Sequence, residues 1–502
     1  MKQKFLSINL FLFAALFPWG NIEAQNIKED TLKEQVLTLR DKITGFEERI
    51  TNAENELAKL TKIKLSGYIQ AQWERYENPS VYPNNFFSLR RVRLKVQYEP
   101  VTGVAFVLQP DFVPGNITLK DAYVQLNEPW LRTFSLWAGQ FNRPDYEVEY
   151  SSSLREVPER SRIIRALYPG ERAIGAKLEV APPKVPLLFQ LAVLNGNESL
   201  TIKNAEGVNI NPTNKDFDPY KDIMVRLVYT FRLGNFGALD LGANGYFGNL
   251  KATSDTVLNS DYSVDKAVNP GSALNRNWFG GELRLFMDIL GGLAVKSEWV
   301  YGVNAFPGYS ATATIVSPVT TNISGDTLTL NALTTTTTSF LPNIRRIFTG
   351  GYVYLIKNIA RHHQIAFRWD YYDPNLKLKE DEIGVVKHNA SYTRSETTSK
   401  TIPGSPTIIQ NNTVKTVMNN TFTSGIDDIA YHTLTFAYNY FVTDNIRLQV
   451  AYEIPINKKV GVNSSGTGNV VQKFTVNNQP GTNDFSRHFP QNILTIRLQA
   501  KF

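Results

Sequence analysis

The chain has 502 residues and a formal net charge of +7, with no cysteine, four methionines, 23 tyrosines and 29 phenylalanines. The lack of cysteine excludes a disulfide framework, a thiolate metal site and a cysteine nucleophile, while many aromatics beside few methionines suit half-buried strands in quantity. The positive balance leaves nucleic acid, anionic lipid and an anion-attracting interior open.

Residues 1–24 begin Met1-Lys2-Gln3-Lys4, continue as an apolar run from Phe5 to Phe17 and close on Ile22-Glu23-Ala24. This predicts a secretory signal peptide cut near Ala24, because the run is too short for a bilayer-spanning anchor. In 25–63 apolar residues recur at Leu32, Val36, Leu39, Ile43, Phe46, Ile50, Ala53, Leu57 and Leu60, in alternating steps of four and three. That is a heptad seam, so a self-associating coiled-coil segment is expected. No later stretch has the unbroken apolar run of a membrane helix, so a chain held in a membrane must cross it as a closed barrel.

From Lys64 onward the pattern alternates with period two. Strands are expected at 64–75, 86–98, 103–111, 119–127, 133–142, 173–181, 186–195, 221–232, 235–248, 276–288, 291–303, 343–356, 361–373, 428–440, 445–456 and 489–502. Short connections such as Leu233-Gly234 alternate with long polar ones, including 304–342, 374–427 and 457–488, as in transmembrane barrels. In the last strand Leu494, Ile496, Leu498, Ala500 and Phe502 face one way and Thr495, Arg497, Gln499 and Lys501 the other; its terminal Phe resembles the closing strand of outer-membrane proteins. Trp73, Trp137, Trp299, Trp369 and Tyr371 would supply interfacial girdles. The fold class expected for 64–502 is therefore all-β, a 16-stranded antiparallel transmembrane β-barrel. A propeller is disfavoured because no blade-length repeat occurs.

A barrel of that size encloses water, so inward side chains would set what passes. Strand alternation turns Arg91, Arg93 and Lys95 inward as a ladder of charge, with Arg226, Arg284, Lys296, Arg368, Arg447 and Arg497 of the same parity. The segment from Tyr150 to Arg172 adds Arg155, Arg160, Arg162, Arg165 and Arg172 against Glu156, Glu159 and Glu171. As the third long loop it is placed to fold inward, and arginine there can fork onto phosphate or carboxylate oxygens. These eight cations, the ladder trio and the five loop arginines, are the candidate anion path.

The motifs SGYIQAQW, NNFFSLRRVRLKVQY, Asp111, Asp121-Ala-Tyr, WAGQFNRP, EYSSSLREVPERSR and YPGERAIGAKL together resemble the phosphate-selective porin O and P family, especially its Bacteroidetes-type members. The resemblance implies a trimeric channel of the bacterial outer membrane, seated in lipid, passing small anions such as phosphate past a constricting loop, with the N-terminal segment in the periplasm. Arg91 and Arg93 fall in the family's RR-x-R strand, and Arg155 to Arg172 in its constricting loop. Departures exist: Pro-Phe-Gly does not follow Gly-Gln-Phe, Ala173-Ile174 stands where an acidic residue is usual, and the loop has no lysine where phosphate-specific members use lysines. A general-diffusion channel without phosphate preference is therefore the alternative.

Other classes find less support. An outer-membrane enzyme needs a nucleophile, base and orienting group, yet no G-x-S-x-G motif exists, and the five histidines fall mostly at turns, strand ends and loops. The adjacent His362-His363 reads as a solvated turn rather than a metal site. A barrel adhesin is suggested only by the Thr-rich loop 310–340 and the Asn/Thr/Ser loop near 390–425. No cofactor, metal or nucleic-acid partner is expected, since the aromatics read as lipid-facing rather than as a base-stacking surface.

Overall fold

The computed structural model describes Arg49 and residues 62–502, apart from 168–170, 197–201, 204–208, 211–215, 217, 254–255, 266–267, 270, 290, 308–309, 324–325, 341, 402–407 and 477. The expected signal peptide and, save for its last residues and Arg49, the coiled-coil segment lie outside the described residues. The barrel is formed by the compact unit Ile63–Phe502.

Its barrel strands are β1 (Ile63–Tyr76), β2 (Asn85–Val101), β3 (Val104–Val113), β4 (Asn116–Asn127), β5 (Phe134–Asn142), β6 (Arg172–Val180), β7 (Leu187–Leu194) and β8 (Asp222–Arg232). The circuit continues through β9 (Gly237–Lys251), β10 (Ala273–Met287), β11 (Leu293–Phe306), β12 (Asn343–Ile359), β13 (His363–Asp373), β14 (Tyr431–Phe441), β15 (Ile446–Asn457) and β16 (Ile493–Lys501). Each pairs antiparallel with its neighbour in this order, and β16 returns to β1 from Tyr68↔Lys501 to Tyr76↔Ile493. Among the described residues the result is a closed 16-strand antiparallel cylinder, so no barrel strand is left with an unpaired edge.

The alternation seen in the sequence becomes an inside-out burial pattern. Along β16, Thr495, Arg497 and Gln499 are buried, while Ile496 and Leu498 are exposed. Arg226 and Arg368 are fully buried, whereas Leu65 is 62% and Phe436 51% exposed. An apolar outer skin over a charged interior is stable only where the outside is hydrocarbon. On the outer face Trp299, Trp369, Tyr371 and His432 form a chain of neighbouring rings, Tyr371 and His432 being 4.7 Å apart.

Two expectations need correction. Trp137 is no girdle residue: it points inward, stacked on Tyr123 at 4.6 Å with the Lys177 amine 3.6 Å from its ring. The long connections are not irregular throughout. Ser310–Ile323 pairs with Asp326–Phe340, Lys387–Thr401 with Ile408–Thr423, and Val471–Val476 with Gln479–Asp484. In Ser310–Ile323, Asp326–Phe340 and Ile408–Thr423, residues rich in Thr, Val, Ile and Leu favour extended backbone, so polarity alone did not distinguish them from loops. The rim is also uneven, because β3 and β4 are joined at the long-loop end by only Pro114-Gly115, with Gly115 at φ +79°.

Candidate functional site

The connection 143–171 between β5 and β6 turns into the cylinder. It holds a 3-10 turn at Pro144–Glu149 and one short helix, α1 (Arg162–Leu167). Six residues are too few for a helix to hold itself in water, so packing must hold it. Val157, Ile163, Ile164 and Leu167 are buried in one cluster with the inward-facing Phe348, Tyr352 and Tyr354 of β12 and Ala366, Ala437 and Ala451 of β13 to β15. Gly350 makes room for α1, since a Cβ there would sit 2.7 Å from Ile163 Cδ1.

Carboxylates of the loop then clamp to basic groups of the wall. Glu159 accepts from Arg90 Nε and Nη2 at 2.9 and 2.8 Å and from Arg497 at 2.8 Å, with Arg91 at 3.9 Å. Glu156 takes the Lys296 amine at 2.6 Å, and its carbonyl takes the Asn439 and Gln449 amides at 2.9 and 2.8 Å. Glu149 receives the Tyr354 hydroxyl, the Ser161 hydroxyl at 2.7 Å and Arg368 at 3.3 Å. Glu171 sits among Arg160, Arg172 and Arg93, the last at 3.5 Å. Burial would by itself push the Glu159 carboxyl up, but Arg91, Arg90 and Arg497 together hold it well below the usual carboxylate range. Glu171 is held down in the same way by Arg160, Arg172 and Arg93 against its own burial.

All eight sequence-selected cations face the interior, in two different states. Arg91 donates to Gln70 at 3.0 Å, and Arg93 to Asp111 at 2.8 Å and Ser152 at 3.3 Å. Arg155 is turned back on its own loop, donating to the carbonyls of Val157, Pro158 and Glu149, and burial pushes its guanidinium down to about 10. Arg160 donates to the Glu149 and Tyr150 carbonyls, and Arg172 to Asp121 at 2.9 Å. These five are locked.

Three are not. Arg165 is partly in water, with Glu453 3.4 Å away. Arg162 lies 3.8 Å over the Tyr431 ring, its Nε buried without a hydrogen bond. Lys95 is half-exposed and makes no hydrogen bond or ion pair among the described residues.

With this geometry in hand, residues 63–304 match the family model described as "Phosphate-selective porin O and P". This stretch belongs to that porin family. The family match, together with the closed barrel, points to an outer-membrane channel. Three solved structures are similar to it. An anion-selective porin from Comamonas acidovorans has 9% identity and a TM-score of 0.45, over 88% of this chain and 99% of that one. OmpT of Vibrio cholerae, in trimer form, has 9% identity and a TM-score of 0.43 over 88% and 99%. The channel DcaP of Acinetobacter baumannii has 9% identity and 0.42 over 88% and 97%. No curated protein matches the chain.

In this porin the sequence reading did not assign Glu149, Glu156, Glu159 and Glu171 as the counter-charges that seat the loop, nor Gly350 as the space for α1. Parity had placed Arg368 and Arg497 inward, and the only further signal was the density of glutamate in EYSSSLREVPERSR.

Proposed function

We propose that this porin conducts small anions, phosphate among them, by passive diffusion past a constriction formed by the 143–171 loop, with α1 as its reading head. The carrying observation is the contrast on that loop: Glu149, Glu156, Glu159 and Glu171 are consumed by neighbouring basic and hydroxyl groups, while Arg162 and Arg165 keep guanidinium groups that make no more than one ion pair among the described residues. A forked, permanently charged group on a fixed helix suits phosphate or carboxylate oxygens. Lys95 extends the path on the wall below. Arg91, Arg93, Arg155, Arg160 and Arg172 support that path by holding the loop and adding positive potential behind it. The heptad seam of 25–63 and the family resemblance favour a homotrimer with that segment in the periplasm.

Planar-bilayer recording tests the reading. In a salt gradient the channel should give a reversal potential of anion-selective sign, and the double change Arg162→Gln with Arg165→Gln should move it toward zero. A unit charge at 4 Å in water-like surroundings is worth roughly 1 kcal/mol, or about fivefold in preference per charge. An unchanged reversal potential sinks the assignment of α1. A channel equally permeable to phosphate and chloride would favour the general-diffusion alternative.

A further inference from the structure

The outer wall carries a pocket, ringed mostly by polar residues, that conduction does not use. Asn275 and Asn277 of β10, Val303 of β11, and Arg345 and Ile347 of β12 line a space of about 440 Å³ with the turn 259–263 and Lys377. The ladders joining β10, β11 and β12 run without a register shift. Asn277 and Val303 therefore share a face with the exposed Phe279 and Tyr301, on the outside of the cylinder.

The turn is fixed in place. Ile347 N donates to Ser260 Oγ at 2.7 Å, Asn375 Nδ2 to Ser260 O at 2.9 Å, and Arg345 Nη2 to Asn259 Oδ1 at 2.6 Å. Ser263 holds Asp261 Oδ1 at 2.6 Å. Two residues further along β10, about 6.6 Å down the strand, the polar cup gives way to the bare apolar wall of Phe247, Phe279 and Tyr301. A cup of mixed charge directly above a greasy surface matches an amphiphile, not a free solute.

We propose that this pocket binds the head group of a phosphorylated glycolipid, with its acyl chains lying on Phe247, Phe279 and Tyr301. Arg345 and Lys377 supply cations for phosphate; the Lys377 amine is exposed and makes no hydrogen bond among the described residues. Asp261 and Asn275 offer oxygens to hydroxyl groups, Asn277, whose Oδ1 already takes the Gly248 N–H at 3.1 Å, offers its amide N–H, and the carboxylate disfavours a bare phosphate at the same spot. The space is also far larger than one phosphate needs and falls in the range of small-ligand pockets.

The test uses the full-length porin in detergent, with binding followed by native mass spectrometry and titration. The probes are a bisphosphorylated disaccharide lipid, its dephosphorylated form, phosphatidylglycerol and inorganic phosphate. The bisphosphorylated glycolipid should bind about tenfold tighter than its dephosphorylated form or phosphatidylglycerol. Lys377→Gln, at an exposed side chain that folding does not need, should weaken it about fivefold, and Arg345→Gln with Lys377→Gln by more than about tenfold. Single-channel conductance should be unchanged in both, which also certifies the fold. Equal binding of the dephosphorylated lipid or of phosphatidylglycerol, indifference to Lys377→Gln, or full displacement by millimolar inorganic phosphate would each overturn the proposal.

Discussion

Arg91 on β2 and Arg165 on α1 stand inside the same cylinder with the same charge, and they do opposite work. Arg91 is 2% exposed, bonded to Gln70 and facing Glu159. Arg165 has 42% of its side chain in water and one carboxylate 3.4 Å away. Strand parity decides which side of the wall a residue faces; it does not decide whether the charge is available. Availability is settled by the loop, whose glutamates neutralise the wall that would otherwise confront the solute. In the proposed mechanism the porin divides its arginines between a clamp and a reading surface.

The sharpest way to break that division is to remove the carboxylate shared by Arg90, Arg91 and Arg497. Glu159→Gln leaves Arg91 and Arg497 buried without their counter-charge, and breaking a buried pair from one side costs about 3–5 kcal/mol. The loop should leave its seat. Conductance should rise several-fold with more open-channel noise, and the melting temperature should fall. A variant with wild-type conductance would mean that the apolar contacts of Ile163, Ile164 and Leu167 suffice to hold α1.

Acid should do the same by degrees, and the sign follows from the direction of the shifts. Glu159 and Glu171 are held below the ordinary 4.5 by their arginines. Their contribution to seating the loop is therefore complete above about 4.5 and is lost only as pH falls through the depressed values. Conductance measured from pH 7 downward should stay flat to about 4.5 and rise only below it. A rise already near pH 6 would show that other groups control the seat.

How much of this was legible in the sequence varies with the range of the interaction concerned. All sixteen strands were, because period two is local and ILTIRLQAKF displays it without help. The inward turn of the third loop was foreshadowed by its arginines, although the charges that seat it are its glutamates. Glu149 meets Tyr354, 205 residues away in sequence, and Glu159 meets Arg497 at a separation of 338. No local pattern encodes a pairing that exists only once the cylinder has closed. Trp137 misled for a related reason: its strand-end position suggested lipid, but its place in the alternation, beside the inward Phe141, set its direction.

Lys95 sharpens the comparison at its small end. It belongs to the ladder by position, like Arg91 and Arg93, but to the reading surface by availability, since it has no partner among the described residues. If availability governs selectivity, Lys95→Gln should lower anion preference modestly, by no more than the roughly 1 kcal/mol of one charge in a watery lumen. Its melting temperature should not move, because nothing rests on the amine. Arg93→Gln should do the reverse, lowering stability through the stranded Asp111 while shifting the reversal potential less than Lys95→Gln does. Should Arg93→Gln move selectivity more with the loop still seated, the potential of the buried ladder, and not its exposed members, would be what the anion senses.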